Sequence, residues 1–132
     1  MPNKIFQYQI TVKATDIDEL NHVNNVIYLQ YIQAVAQAHW ESIVSPEQMQ
    51  QITWVARRHE IDYLKQAFLG DILTVKTWVE TFTGVTSLRH CEIYKGEMLI
   101  TKSITTWIAI NPQTLKPQRV NAEIINAFMA TN

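Results

Sequence analysis

The chain has 132 residues, 47% hydrophobic and 17% charged, with three glycines, one cysteine and a formal net charge of −1. That balance describes one folded domain, residues 1–132, with a real core, and it excludes a disordered chain. Near-zero charge excludes a general attraction to nucleic acid or an anionic membrane, and the single Cys91 excludes an intrachain disulfide or a cysteine-based zinc site.

The opening "MPNKIFQYQ" lacks the apolar run of a signal peptide, and no stretch approaches the ~20 apolar residues of a membrane span, so a cytoplasmic protein is expected. "KIFQYQITVK" alternates, with Phe6, Tyr8, Ile10 and Val12 on one face of a strand whose other face is wet. Ala14 to Val23 is polar and reads as a loop. From about Asn24, Tyr28, Ile32, Val35, Ala36, His39, Trp40 and Ile43 recur at helical spacing, with no Pro or Gly before Pro46. That predicts a helix of about five turns. After "SPEQMQQ" four strands follow: "ITWVARRHEIDYL", "GDILTVKTWVETF" behind a Gly-Asp turn, "VTSLRHCEIY", and "MLITKSITTWIAI" across a Lys95-Gly96 hairpin turn. A short helix over "AEIINAFMA" closes the chain, capped by Asn121 with Glu123 in its first turn. The order β-α-β-β-β-β-α predicts an α+β fold, a five-stranded antiparallel sheet around one long apolar helix.

One junction is polar beyond need. "TDIDELNHVNNVIYLQYIQ" gathers two aspartates, a histidine and three asparagines ahead of the long helix. A helix start leaves backbone N–H groups without partners and carries partial positive charge, so an Asn cap explains one of these residues. It does not explain Asp16, Asp18 and His22. A carboxylate, an imidazole and free N–H donors together suit hydrolysis of an acyl group: the donors hold the oxyanion and the carboxylate activates water or attacks directly. Loop-forming Asp and Asn account for the same residues equally well from chemistry alone. Calcium does not fit, because Leu20 and Asn21 stand where such a loop needs an acid and a glycine, and one histidine with two carboxylates makes no zinc site. No Gly-x-Ser-x-Gly elbow supplies a serine triad.

"DIDELNHVNNVIYLQYIQ" resembles the opening motif of hotdog-fold thioesterases, the group of 4-hydroxybenzoyl-CoA thioesterase and short acyl-CoA thioesterases: an acid, then His-Val-Asn-Asn, then Tyr at the head of the central helix. "HEIDYLKQAFLGDILTV" and "WIAINPQTLKPQRV" are similar to the second-strand stretch and closing strand of that group. The resemblance implies a strongly curved sheet wrapped around the helix, acyl-CoA as substrate, and no metal or organic cofactor beyond coenzyme A as part of the substrate. It implies Asp18 as nucleophile or general base and the Asn25 backbone N–H as donor to the thioester oxygen. His22 and Asn24 line the same spot, with Asp16 bracing the loop. It implies at least a homodimer, often a homotetramer, with sites between subunits. Plant acyl-carrier-protein thioesterases have an Asn two residues after the acid, where this chain has Leu20, which leaves Asp18 as the sole candidate.

Further candidates surround this core. Arg57, Arg58 and His59 form the densest basic cluster, with Arg57 and His59 on one strand face and Arg58 on the other. Either they lie on a solvated or subunit-contacting strand, or one of them, Arg89 or Lys65 pairs with coenzyme A phosphates. Glu60 and Asp62 share a face, and some related thioesterases place an acid there from a partner subunit. Cys91 reads as a packed thiol and His39 as a core or interface histidine. Trp54, Trp78, Trp107 and Tyr63 read as packing, and Tyr28, Ile32, Trp54 and Leu88 as residues whose facing sets an acyl tunnel. Three rival functions stand beside the acyl-CoA thioesterase: an acyl-carrier-protein thioesterase, a hydroxyacyl-thioester dehydratase, and a non-catalytic acyl-binding oligomer.

Overall fold

The computed structural model describes residues 4–129. The chain runs β1 (Phe6–Thr11), a 3-10 turn (Ala14–Asp16), α1 (Asn25–Ile43), α2 (Pro46–Met49), β2 (Thr53–Tyr63), β3 (Ile72–Thr83), β4 (Thr86–Lys95), β5 (Met98–Ile110) and α3 (Ala122–Met129). The strands form one antiparallel sheet in the order β1-β3-β4-β5-β2. The α+β architecture is the expected one. The short α2 is an addition that the residues do signal: Ser45 and Gln48 form a capping box, their side chains each meeting the other's backbone N–H at 3.2 and 3.0 Å, with Pro46 in the first turn.

The strands β3, β4 and β5 follow one another through tight turns at Gly84 and Gly96, both at positive φ. The connection through α1 carries the chain from β1 at one edge to β2 at the other. β2 is bulged between Ala56 and Arg58. The extra residue takes Arg57 out of the expected alternation, so it does not share a face with His59. Arg57 is exposed, whereas His59 is partly buried with its Nδ1 2.8 Å from Thr105 Oγ1.

Along α1 the buried face divides into two apolar groups. Tyr28, Ile32 and Val35 pack with Val12, Leu73, Val75, Cys91, Ile93 and Ile100. Burial pushes the Cys91 thiol up to about 12, so it is a packed, protonated side chain. Toward the other end, Trp40 and Val44 pack with Ile52, Val79, Ala109, Ile124 and Phe128. Between the two groups lies a polar seam. Arg89 on β4 donates through Nη1 to His39 Nδ1 at 2.8 Å and to Thr77 Oγ1 at 3.1 Å.

Because a guanidinium only donates, His39 Nδ1 must accept, which leaves the ring neutral with its proton on a buried Nε2 that has no partner among the described residues. Burial, then Arg89, then Lys4 hold its pKa down to about 3. The unfolded chain therefore takes up a proton near pH 6.5 that the folded chain refuses. Stability contributed by neutral His39 is present above pH 6.5 and is lost as the pH falls from there toward 3, by up to about 1.4 kcal/mol per pH unit. Urea unfolding at pH 7 and pH 4.5 checks this: in His39→Gln, which cannot titrate, stability falls less over that interval than in the wild type.

Candidate active site

The loop before α1 is a braced hairpin. Ile17 pairs with Val23, the Asp18 N–H donates to the His22 carbonyl at 2.8 Å, and the Asn21 N–H donates to the Asp18 carbonyl at 3.0 Å. Asn21 closes the turn at φ 68, a conformation Asn tolerates better than most residues. Asp16 anchors this hairpin to the fold. Its Oδ2 accepts from the Lys13 N–H at 3.0 Å and the Tyr31 hydroxyl at 2.8 Å, and it is buried. Burial first, and the Asp16 carboxylate second, raise the Tyr31 pKa well above the usual phenol range, so that hydroxyl stays a donor.

Asp18 is half-buried at the hairpin tip. Its Oδ1 accepts from the Leu20 N–H at 2.9 Å and the His22 N–H at 3.2 Å. Its Oδ2 has no hydrogen-bond partner among the described residues, so the carboxylate is held by one oxygen and presents the other. Two residues beyond His22, Asn24 caps α1, its Oδ1 accepting from the Val26 N–H at 3.0 Å. The Ile27 N–H donates to the Asn24 carbonyl at 2.8 Å. The Asn25 N–H is left without a partner among the described residues. It is an open donor at the positive end of a 19-residue helix.

Asp18, His22, Asn24, Asn25, Tyr28 and Tyr63 line one cavity of about 400 Å³. The wall opposite α1 comes from the end of β2 and the loop after it, Tyr63, Leu64, Lys65 and Gln66. Tyr63 leans over the helix start, its hydroxyl 3.4 Å from the Asn25 carbonyl and its ring 5.6 Å from that of Tyr28. Tyr28 is buried, and its hydroxyl accepts from the Ala67 N–H at 3.1 Å, tying the loop to α1. His22 packs edge-on against Phe68, with ring centroids 5.3 Å apart. Leu64 and Gln66 are wall residues that sequence reasoning did not single out, because no local pattern announces a contact across the β2–β3 loop.

The remaining candidates lie elsewhere in the chain. Arg58 and Glu60 pair with each other at 2.6 Å on the exposed side of β2, and Arg57 is exposed in the bulge, none of them on the cavity wall. Arg89 is 8% exposed and bound within the polar seam, so it does not meet a phosphate at the cavity mouth. The cation that does line the cavity is Lys65. Trp54 lines a second cavity, beside Trp40 and Trp107, while Leu88 alternates with the buried Ser87 and Arg89 and so takes the other face of β4. Among the described residues no group of three or more His, Cys, Asp or Glu is placed to hold a metal ion.

The profile of the acyl-ACP thioesterase N-terminal domain matches residues 3–128. The chain belongs to the acyl-ACP thioesterase family. Within this setting it is similar to the long-chain acyl-CoA thioesterase FadM of Escherichia coli, 23% identical over 125 residues that span 89% of this chain and 92% of FadM. It is similar also to the acyl-CoA thioesterase YbgC of Haemophilus influenzae, 24% identical over 127 residues that span 93% of each chain. A Staphylococcus aureus protein solved in complex with CoA has the same fold, with a TM-score of 0.85 at 18% identity over 100% of this chain and 89% of that one. This member of the acyl-ACP thioesterase family thus has the hotdog fold implied by its His-Val-Asn-Asn motif.

Proposed function

We propose that the protein is a thioester hydrolase that cleaves an acyl-CoA into a carboxylic acid and free coenzyme A at the Asp18 cavity. The observation that carries this reading is the pairing, around one cavity, of a carboxylate oxygen and a helix-start N–H that both lack a partner among the described residues. The Asn25 N–H receives the thioester carbonyl oxygen, and the helix dipole favours the negative charge that develops there. Asp18 Oδ2 then acts in one of two ways. As a general base it takes a proton from water, whose oxygen bonds to the acyl carbon while the carbon–sulfur bond breaks. As a nucleophile it bonds to that carbon itself, expels the thiolate and forms a mixed anhydride that water opens. A thioester suits so small an apparatus, because its carbonyl is weakly resonance-stabilised and its thiolate leaves readily. His22 and Asn24 orient the reacting groups, Tyr28 and Tyr63 wall the acyl group, and Lys65 meets coenzyme A phosphate at the mouth. No cofactor is needed.

The cavity opens beside β2, an edge strand with free backbone groups and the exposed side chains Val55 and Tyr63. A second copy of the chain pairing there covers that edge and walls the cavity, giving a homodimer or a pair of dimers. It would also bring Arg57 and Arg58 within reach of coenzyme A held by the partner. The acyl-carrier-protein thioesters are the second substrate reading, favoured by the family match.

Assay of the purified protein against aliphatic and aromatic acyl-CoAs and acyl-carrier-protein thioesters, with thiol detection, tests the reading. The expected result is thiol release from at least one acyl-CoA. Release from carrier-protein thioesters alone would move the substrate to that class. Hydration of an enoyl-CoA without thiol release would replace the hydrolase with a dehydratase.

A further inference from the structure

The buried Arg89 has an unmet need for a partner. A guanidinium carries five N–H donors. Nη1 uses its pair on His39 Nδ1 and Thr77 Oγ1, and the Nε and Nη2 hydrogens have no acceptor among the described residues. Neither contact neutralises the charge. His39 is a neutral acceptor, and the Thr77 hydroxyl donates to the His90 carbonyl at 2.7 Å. Among the described residues no carboxylate pairs with Arg89, although it is more than nine-tenths buried. Neither Nε nor Nη2 is among the fully buried atoms that lack a partner, so both reach open space beside the side chain, where an anion pairs with a guanidinium that has no carboxylate of its own.

Arg89 lies on the wall of a cavity of about 190 Å³, distinct from the Asp18 cavity and sharing no residue with it. Trp40 and Ala36 from α1, Trp54 from β2, Phe82 from β3 and Phe128 from α3 give the cavity an aromatic and apolar part, and Gln33, Gln37, Thr53 and Ser87 make the rest of its wall polar. Trp107, also on the wall, has a buried indole N–H with no partner among the described residues. The Nε and Nη2 edge of an arginine is the fork that grips a carboxylate through two parallel hydrogen bonds. An apolar cavity of about 150 Å³ accommodates benzene, so this one holds a single ring or short chain together with its acid group.

We propose that this cavity is a carboxylate-binding site, taking an organic acid whose apolar body lies among Trp40, Trp54, Phe82 and Phe128 and whose carboxylate bridges the free edge of Arg89. Two sources supply that chemistry. One is a free carboxylic acid, the class of product released at Asp18. The other is the distal carboxylate of an acyl group whose thioester sits at Asp18. Ala36 lies about 16 Å along α1 from Asn25, at 1.5 Å per residue, so only an extended acyl chain could join the two. The second source rests on the thioesterase reading; the first does not.

Three of the four tryptophans line the cavity, so intrinsic fluorescence reports on it. The test titrates phenylacetate, hexanoate and their alcohol counterparts into the full-length protein, following fluorescence and Tm. At least one acid is expected to bind saturably, at least tenfold tighter than its alcohol, and to raise Tm. Arg89→Met is expected to lose that binding at least tenfold, whatever the loss of its bonds to His39 and Thr77 does to the ligand-free Tm. A merely structural Arg89 would leave acid binding as it was. Should Arg89→Met not fold, Ala36→Leu, which fills the cavity and keeps the arginine, is expected to abolish acid binding.

Hydrolysis of hexadecanedioyl-CoA and hexadecanoyl-CoA, whose chains are long enough to reach from Asn25 to the cavity, separates the sources. A lower KM for hexadecanedioyl-CoA that vanishes in Arg89→Met assigns the site to the substrate's distal end, and acid binding without that preference assigns it to the free acid. No thiol release from either would strike at the thioesterase reading alone, because acid binding is measured without turnover. Binding of acid and alcohol alike, or equal acid binding in Arg89→Met, overturns the proposal.

Discussion

Asp18→Asn is expected to lower kcat by about 10²- to 10⁴-fold, the usual contribution of a positioned acid–base group, with KM and Tm close to wild type. The geometry makes this a clean comparison. The Leu20 and His22 N–H groups both bond to a single carboxylate oxygen, Oδ1, and an asparagine carbonyl oxygen can replace it in both bonds. What the amide cannot supply is the negative charge on the outward atom, which accepts water's proton or attacks the acyl carbon. Asp18→Ala removes the chemistry and the brace together, so it is expected to be equally inactive and also less stable, by about 1 kcal/mol for the lost turn bonds. Thiol-release kinetics alongside urea unfolding separate the two effects. Wild-type turnover in Asp18→Asn would take this residue out of the mechanism. Single turnover in ¹⁸O-labelled water tests the anhydride route, since label in the Asp18 carboxylate requires that water has opened an anhydride at the Asp18 carboxyl carbon.

The largest loss of stability is expected at Phe128. Phe128→Ala should cost about 3–5 kcal/mol, the range for emptying a buried aromatic site. The ring is fully buried on α3, with its centroid 5.7 Å from Trp40 in a stacked pair and 4.8 Å from His39 in an edge contact. Phe82 lies 6.1 Å away, and the Arg89 guanidinium stands 5.9 Å from the ring. With Ile124 it is one of the two buried side chains of an eight-residue helix, so removing it loosens the attachment of α3 as a whole. Denaturant unfolding should show a lower midpoint, and the Trp40 emission should shift as water enters. A loss below about 1 kcal/mol would mean that α3 is not held by this contact.

Phe128 and the Asp18 loop were each legible in part, for different physical reasons: Ala14 to Val23 read as a polar loop with an asparagine cap, and the structure makes that stretch a hairpin with Asn24 as the cap. The Asp18 hairpin, the Asn24 cap and the uncapped Asn25 N–H all arise within a few residues of one another, and short-range bonds of that kind leave a mark in consecutive letters. Phe128 could be placed on a short helix, but nothing local says that its ring reaches Trp40 and His39 nearly ninety positions earlier.

Arg89 illustrates the limit of strand periodicity. In "TSLRHCEIYK" one face carries Ser87, Arg89, Cys91 and Ile93, and the other Leu88, His90, Glu92 and Tyr94. Both faces mix polar and apolar residues, so the alternation divides the side chains without saying which set is covered. The bulge at Arg57 likewise follows from how β2 pairs with β5, not from β2 alone.

The amino-acid order by itself determined the five strands, the long apolar helix, the closing helix and the acid-to-helix motif, because each depends on dihedral preference, periodicity or capping within a turn or two. The tertiary structure alone decided which loop walls the Asp18 cavity, why Arg57, Arg58 and Glu60 stand outside it, and that Arg89 is buried with three of its five N–H donors unused among the described residues. Those outcomes come from packing between segments far apart in the chain, where burial is settled by what finally covers a side chain and not by its neighbours in sequence.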